Sequence, residues 1–219
     1  MKDRINVLLD FDGTVSRHDT TDEILAAFAD PQWHEIEHEW VTGRIGSRTC
    51  MSRQVALMRA SPEALDRLVD GIEVDEHLPQ LVDVCRDRGV SLTIVSDGLD
   101  RVIARVLRRF DLCVPVIANR LVCLPDGRWS LDFPNAAPYC EAGTCKCLSA
   151  SSGGGPTILV GDGRSDFCVA EAASVVFAKA KLAEHCRLNG IPFLPLPNLG
   201  AVACWLAEAA LPLSLQGTL

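Results

Sequence analysis

Two aspartates separated by a single residue, in the stretch Asp10-Phe11-Asp12-Gly13-Thr14, are the side chains best placed by type and spacing to do chemistry. They follow the apolar run Ile5-Asn6-Val7-Leu8-Leu9, which reads as a short buried strand. In an extended chain, side chains two residues apart point the same way. At the C-terminal end of a strand both would face the edge where open α/β sheets bind ligands. Gly13 then lets the backbone turn. One carboxylate of such a pair can attack an electrophile such as phosphorus. The other can give a proton to a leaving group and later activate water. Together they can hold Mg²⁺, which prefers oxygen ligands. The same stretch is also compatible with a plain strand end closed by turn-forming Asp and Gly.

Other strands end in a similar way. Val90-Ser91-Leu92-Thr93-Ile94-Val95 runs into Ser96-Asp97-Gly98, and Thr157-Ile158-Leu159-Val160 runs into Gly161-Asp162-Gly163-Arg164-Ser165-Asp166. Strands alternating with helices imply a parallel sheet covered on both faces. In such a sheet Asp10/Asp12, Ser96/Asp97 and Asp162/Asp166 all emerge at one edge, which predicts a single active site.

The elements that must position these loops follow from periodicity. Residues 15–77 contain no strand-like run. They read as helices from Asp22 to Phe28, from Gln32 to Trp40, from Ser47 to Arg59, and from the start signal Ser61-Pro62. This helical block divides the chain into a core of 1–14 plus 78–219 and an insertion of 15–77. Helices are expected over Glu76–Arg88, with Gly89 closing it, and over Leu99–Phe110, whose apolar residues fall on one stripe. A short strand Val114–Ala118 precedes a hairpin of Leu121–Leu124 and Trp129–Phe133. Then come a short helix Thr144–Ser152, a loop Gly153–Pro156 and helix Asp166–Ala173. Strand Val175–Ala178 and helices Lys181–Leu188 and Asn198–Ala209 follow, with Leu211–Leu219 left as a tail.

Composition narrows the function. The chain has 219 residues, 48% of them hydrophobic, enough for a packed core. A net charge of −8 argues against a general nucleic-acid partner. No apolar run reaches the roughly 18 residues of a membrane span. The apolar stretch after Met1-Lys2-Asp3-Arg4 is too short for a secretion signal, so the cytoplasm is the expected location. Ten scattered cysteines then read as small reduced residues. A monomer or a homodimer is expected.

These motifs, in this order and over nearly the whole chain, resemble those of the haloacid dehalogenase (HAD) superfamily, in the branch that contains phosphoserine phosphatase. Ala118-Asn119-Arg120-Leu121 ahead of a hairpin is also typical of that branch. The resemblance implies a Rossmannoid three-layer α/β sandwich with a parallel sheet, a β-hairpin and a small helical cap inserted after the first motif. It implies an Mg²⁺-dependent phosphatase that acts on a small phosphorylated metabolite through an aspartyl-phosphate. Asp10 would be the nucleophile and Asp12 the general acid and base. Asp10, Asp162 and the Asp12 carbonyl would ligate the metal, with Asp166 behind them. Ser96, the N–H of Gly98 and a lysine would hold the phosphate. Lys146 is the sole lysine between the second and fourth motifs, where the family places it; Lys179 and Lys181 come later.

The cap departs from phosphoserine phosphatase. Asp19 stands where that enzyme has a glutamate, and Gln54 falls at its carboxylate-holding arginine, with Arg44, Arg48 and Arg53 nearby. His18 and Asp19 are candidates for the substrate pocket together with these four. Trp33, Trp40 and Trp205 are expected in packing, and Glu35, Glu37 and Glu39 on a solvated helix face. Cys140, Cys145 and Cys147 lack the spacing of a zinc set. They are similar to a cysteine-bearing segment in methionine-salvage enol-phosphate phosphatases and in phosphocholine/phosphoethanolamine phosphatases. An enol-phosphate substrate therefore ranks first, a phosphorylated amino alcohol second and phosphoserine third. Phosphotransfer to an acceptor alcohol is the alternative reaction, and non-catalytic phosphoryl binding the alternative class.

Overall fold

A computed structural model describes residues 5–152 and 155–209. The N-terminal four residues, the Gly153-Gly154 part of the expected loop, Ala210 and the expected tail Leu211–Leu219 lie outside them. The first strand, β1 (Asn6–Leu9), is followed by four helices: α1 (Thr20–Phe28), α2 (Trp33–Val41), α3 (Ser47–Val55) and α4 (Pro62–Asp70). Next come α5 (Leu78–Asp87), β2 (Ser91–Leu99), α6 (Asp100–Arg109) and the hairpin β3 (Val116–Cys123) and β4 (Trp129–Asp132). The last part runs α7 (Lys146–Ser152), β5 (Thr157–Gly161), a 3₁₀ turn Arg164–Asp166, α8 (Phe167–Ala170), β6 (Val175–Ala178), α9 (Ala180–Asn189), β7 (Leu194–Pro195) and α10 (Leu199–Glu208).

The seven strands form one sheet in the order β4-β3-β2-β1-β5-β6-β7, parallel except where β4 pairs with β3. β1 is central. Leu9 lies opposite Ile94 of β2 and Val160 of β5, so the residues that follow these three strands leave the sheet side by side. Side chains of β1 alternate between two apolar layers: Val7 and Leu9 join the larger core, and Leu8 joins a second one with Leu159, Val176 and Leu182. This covering of both faces explains why β1 and β5 read as near-continuous apolar runs. The fold is the expected mixed α/β architecture.

Local chemistry accounts for several boundaries. Ser61 caps α4 by accepting a hydrogen bond from the Ala64 N–H at 3.2 Å, with Pro62 at the first helical position. Gly190 ends α9 at φ +67°. Elsewhere the structure differs from the sequence expectation. β2 continues through Ser96-Asp97-Gly98 to Leu99, with its register against β3 shifting between Val95 and Leu99. Such a bulge re-aims the Ser96 side chain. β3 is one strand where two were expected, because it pairs with β2 on one side and β4 on the other. α3 stops at Val55, since Met58 leaves the helix to bridge Ala29.

The helical block packs on the rest through one continuous apolar cluster that joins Ile24, Leu65 and Val69 to Leu99, Val102 and Val106. Polar links reinforce it. Trp129 Nε1 donates to the Ala60 carbonyl at 2.9 Å, and Arg105 pairs with Asp66 at 3.0 Å and with Asp70 at 2.5 Å. Among the described residues no helix is long and apolar enough to cross a membrane.

Asp75 closes the block against α5 and α10. Its carboxylate accepts from the His77 N–H at 2.9 Å, from His77 Nδ1 at 3.0 Å and from the Leu199 N–H at 2.8 Å. Burial pushes its pKa up, but these donors outweigh burial and hold it below the usual carboxylate value. A depressed folded pKa stabilises the fold above the unfolded value of about 3.9 and loses that contribution as pH falls through the folded pKa. Asp75→Ala is therefore expected to cost about 1–3 kcal/mol at neutral pH. The deficit should shrink as acid is added; a deficit unchanged between neutral and strongly acidic denaturant titrations would contradict this role.

Candidate active site

The site assembles at the C-terminal edge of β1, β2 and β5. Asp10 leaves β1 with its Oδ1 accepting from the Phe11 N–H at 2.8 Å. The same oxygen lies 2.8 Å from Lys146 Nζ, which α7 presents from its first residue. Lys146 is 2% exposed, and its other partner is Asp166 Oδ1 at 2.6 Å. Asp166 is itself fully buried and uses Oδ2 to accept the N–H groups of Asp162 and Gly163, at 3.3 and 3.2 Å. Asp162 leaves β5, and its Oδ1 accepts the Thr14 hydroxyl at 3.0 Å. Asp10, Asp162 and Asp166 each bring a carboxylate oxygen within 4.8 Å of the others.

Asp12 sits beside this group. Thr20, the first residue of α1, gives its Oδ1 two hydrogen bonds, from N–H at 2.9 Å and from Oγ1 at 2.6 Å. Ser96 Oγ lies 3.4 Å from Asp12 Oδ2 and accepts the Gly98 N–H at 2.9 Å. A Cβ on Gly98 would run into the Asp12 carboxylate, and one on Gly13, which holds φ +71°, would meet the Asp162 carboxylate. Both glycines are required by the close approach of the acidic groups.

Crowding shifts the acids upward. Asp10 is raised well above the usual carboxylate range, first by burial and then by the charge of Asp166, with Lys146 opposing. Asp12 is pushed up to about 7, by burial and then by Asp19. Burial also raises Asp162, against the Thr14 hydrogen bond. Burial would strip Lys146 of its proton, but the charges of Asp10 and Asp166 win and raise its pKa. Asp10 and Asp166 thus share one buried ammonium, with Asp162 beside them. Their oxygen donors and residual negative charge suit a hard divalent cation. Both oxygens of Asp166 are already committed to Lys146 and backbone N–H groups. Asp10 and Asp162 are the other two carboxylates of this group that could hold an ion.

A cavity of about 590 Å³ opens above Asp10, Asp12, Ser96, Gly98 and Asp162. Lys146 and Asp166 lie behind this floor, outside the cavity lining.

The haloacid dehalogenase-like hydrolase family model matches residues 7–171, most of the chain and every motif in the site. The chain belongs to this family. A Brevibacillus brevis protein named 2-hydroxy-3-keto-5-methylthiopentenyl-1-phosphate phosphatase is 27% identical over 88% of this chain and 90% of its own. An Exiguobacterium protein of the same name is 23% identical over 92% and 96%. A substrate-bound phosphoserine phosphatase structure matches with TM-score 0.68 and 21% identity, covering 94% of this chain and 99% of that one. The phosphoserine phosphatase of T. onnurineus matches with TM-score 0.70 and 17% identity over 96% of each chain. At these identities the structures show the shared fold. Family and relatives together support a phosphoric monoester hydrolase.

The opposite wall of the hydrolase's cavity comes from the helical block. His18, Asp19 and Gln54 line it, as do Asp22, Glu37 and Trp40. Asp19 also caps α1, accepting the N–H groups of Thr21 and Asp22 at 2.9 and 3.1 Å. It is pushed up to about 6 by the surrounding protein and then by Asp22, although its surface stays open to water that screens part of this. Arg44, Arg48 and Arg53 are not brought to the lining. Arg44 Nε bonds Thr42, Arg53 pairs with Glu39 at 2.8 Å, and Arg48 holds the carbonyls of Ala137, Cys140 and Ala142. Gln54 instead donates to Glu37 Oε2 at 3.0 Å and is 2% exposed. Glu37 thus faces the cavity rather than bulk solvent. Trp40 packs between the helical block and the β5 loop, where Arg164 lies 5.5 Å from its ring centroid.

Sequence reasoning missed Thr20, whose role needs α1 to start beside Asp12. It also missed the part Asp97 plays. Asp97 binds Ser47 of α3, accepts Asn119 Nδ2 at 3.1 Å and accepts the Thr144 N–H at 2.9 Å. It ties the helical block to the segment that leads into Lys146.

Proposed function

We propose that this chain is an Mg²⁺-dependent phosphomonoesterase that hydrolyses a small phosphorylated metabolite through a phosphorylated Asp10. The observation that carries this reading is the pair at the cavity floor. Asp10 is kept next to a buried ammonium, while Asp12 beside it has a pKa pushed up to about 7. The first suits a nucleophile and the second an acid. Asp10 attacks phosphorus. Asp12, protonated near neutral pH, gives its proton to the leaving oxygen and then accepts one from the attacking water. Thr20 keeps Asp12 oriented through both steps. Ser96 on the floor offers its hydroxyl to the phosphoryl oxygens, with the Gly98 N–H holding its Oγ in place. Mg²⁺ held by Asp10, Asp162 and the Asp12 carbonyl would neutralise phosphoryl charge. Lys146 acts through the Asp10 carboxylate, and Asp166 fixes Lys146. Residues 15–77 serve as a cap that excludes water and reads the leaving group.

The relatives' printed names favour an enol-phosphate of the methionine-salvage type as substrate. A second reading, a phosphorylated amino alcohol, is favoured by one observation: Asp19, Asp22 and Glu37 together on the cap wall. Those carboxylates disfavour a leaving group with its own carboxylate, and no arginine comes from position 54, so phosphoserine ranks last. Phosphate release should be measured with and without Mg²⁺ across phosphoserine, phosphoethanolamine, phosphocholine, sugar phosphates and a methionine-salvage enol-phosphate. The enol-phosphate is expected to give the highest kcat/KM. A phosphorylated amine in first place would favour the second reading. Release that depends on an added alcohol would replace hydrolysis with phosphotransfer, and no release with any ester would sink the reading.

Gln54→Ala removes the donor that holds the Glu37 carboxylate in the cavity wall. It is expected to change the kcat/KM ratio between the enol-phosphate and phosphoethanolamine by about tenfold, close to one lost charge-assisted hydrogen bond. An unaltered ratio would show that this wall does not read the leaving group.

A further inference from the structure

The helix that presents Lys146 carries a thiol at its next residue. Cys147 is in α7, and Cys168 is in α8, two residues beyond Asp166. Their sulfurs are 2.9 Å apart, with the Cys147 S–H donating to Cys168 Sγ. Cys168 is exposed and Cys147 half-buried, so small oxidants in solution reach the pair. Cys140 and Cys145 are near enough to act electrostatically on Cys147. Among the described residues, the carboxylates of the active site are the group that brings three ligand atoms within 4.8 Å, so these thiols stand as a pair rather than a metal set.

We propose that Cys147 and Cys168 form a reversible dithiol–disulfide pair that fastens the lysine-bearing helix α7 to the segment bearing Asp166, with a peroxide as oxidant. The hydrogen bond sets the order of events. Cys147 is the donor and its thiol is pushed up to about 12 by burial and by Cys168. Cys168, the exposed acceptor of that bond, is the sulfur that a peroxide reaches first, and the thiolate is the attacking form. Cys168 sulfur attacks one peroxide oxygen, the O–O bond breaks, and hydroxide leaves and takes a proton to become water. The Cys147 sulfur then displaces the oxygen of the resulting sulfenic acid, which departs with the Cys147 proton as a second water. Two thiols are oxidised by two electrons, and one peroxide is reduced to two waters. A thiol reductant reverses the bond by exchange. A disulfide needs a sulfur separation of about 2.05 Å, so the sulfurs approach by less than about 1 Å. The contact between Lys146 and Asp166 stays in register. The new bond closes the chain between residues 147 and 168, which restricts the unfolded ensemble and stabilises the fold.

The test uses the full-length protein, either reduced or treated with hydrogen peroxide, followed by non-reducing peptide mapping and thermal melting. The expected result is a dominant Cys147–Cys168 linked peptide and a Tm several degrees above that of the reduced protein, both reversed by reductant. Cys147→Ser and Cys168→Ser should each abolish the linked peptide and the rise, whereas Cys113→Ser, at an exposed thiol elsewhere, should keep both. A linkage dominated by Cys140 or Cys145 would overturn the pairing. So would no linkage under conditions that oxidise the exposed Cys113, Cys123 and Cys204. A linkage formed without any rise in Tm would overturn the fastening.

Discussion

The Asp10→Asn protein is expected to fold normally and to release phosphate at least about a thousandfold more slowly than the wild type, the scale seen when a covalent nucleophile is removed. The amide keeps the shape of the side chain and can still accept a hydrogen bond from Lys146. What it loses is the nucleophilic oxygen. Stability should not suffer, for a reason that follows from the sign of the pKa shift. Asp10 is raised well above the ordinary carboxylate value, chiefly by burial. A group raised in the folded state contributes stability below its unfolded pKa and loses it as pH rises through the folded value. At neutral pH its charge is a cost that asparagine does not carry. The variant's Tm at neutral pH should therefore equal or exceed that of the wild type. A variant with normal kcat would refute the nucleophile, and an unfolded one would mean that Asp10 serves mainly to balance Lys146.

Lys146→Met should lower activity by a similar factor and, unlike Asp10→Asn, destabilise the fold. Methionine retains much of the aliphatic length but not the ammonium that lies 2.8 Å from Asp10 and 2.6 Å from Asp166. Removing one partner from a buried ionic group typically costs about 3–5 kcal/mol. Asp10, already raised, would lose the ammonium that opposes the rise, so its folded pKa goes up further. By the same sign rule the destabilisation grows as pH rises. Denaturant titrations should therefore show a larger deficit at neutral pH than in mild acid. A variant as stable as the wild type at neutral pH would mean that the lysine does not hold the carboxylates together. Full activity would mean that its charge is not needed during phosphoryl transfer.

The parts of this site that could be read from the sequence are those encoded within a few residues. Asp10, Asp12, Ser96 and Asp162 each follow an apolar run that marks a strand, and parallel strands force them to one edge. The cap at Ser61-Pro62 is legible for the same reason. What escaped depends on contacts between distant residues. Asp97 looks like part of the phosphate loop, yet its partners Ser47, Asn119 and Thr144 are 50, 22 and 47 residues away. Helical periodicity separates the face of α2 that carries Glu37 from the apolar face. It cannot distinguish water outside the molecule from water in a cavity. Arginine at 44, 48 or 53 has the right charge to hold a substrate carboxylate. Their long side chains nevertheless find nearer acceptors in Thr42, the carbonyls of the 137–142 segment and Glu39. The short edge strand β7 ends at Pro195 and pairs over only two residues, too few for a period to show.

The most direct measurement mixes excess enzyme with a reactive small phosphomonoester in the presence of Mg²⁺, quenches with acid within one turnover and maps the peptides by mass. Covalent catalysis by Asp10 requires a phosphoryl adduct on the peptide containing Asp10 in the wild type and none in Asp10→Asn. With an ester whose leaving group departs without a proton, an Asp12→Asn protein should accumulate the adduct, because the attacking water has lost its base. Phosphate released at full rate in a single turnover, with no adduct on Asp10 at any quench time, would contradict the mechanism.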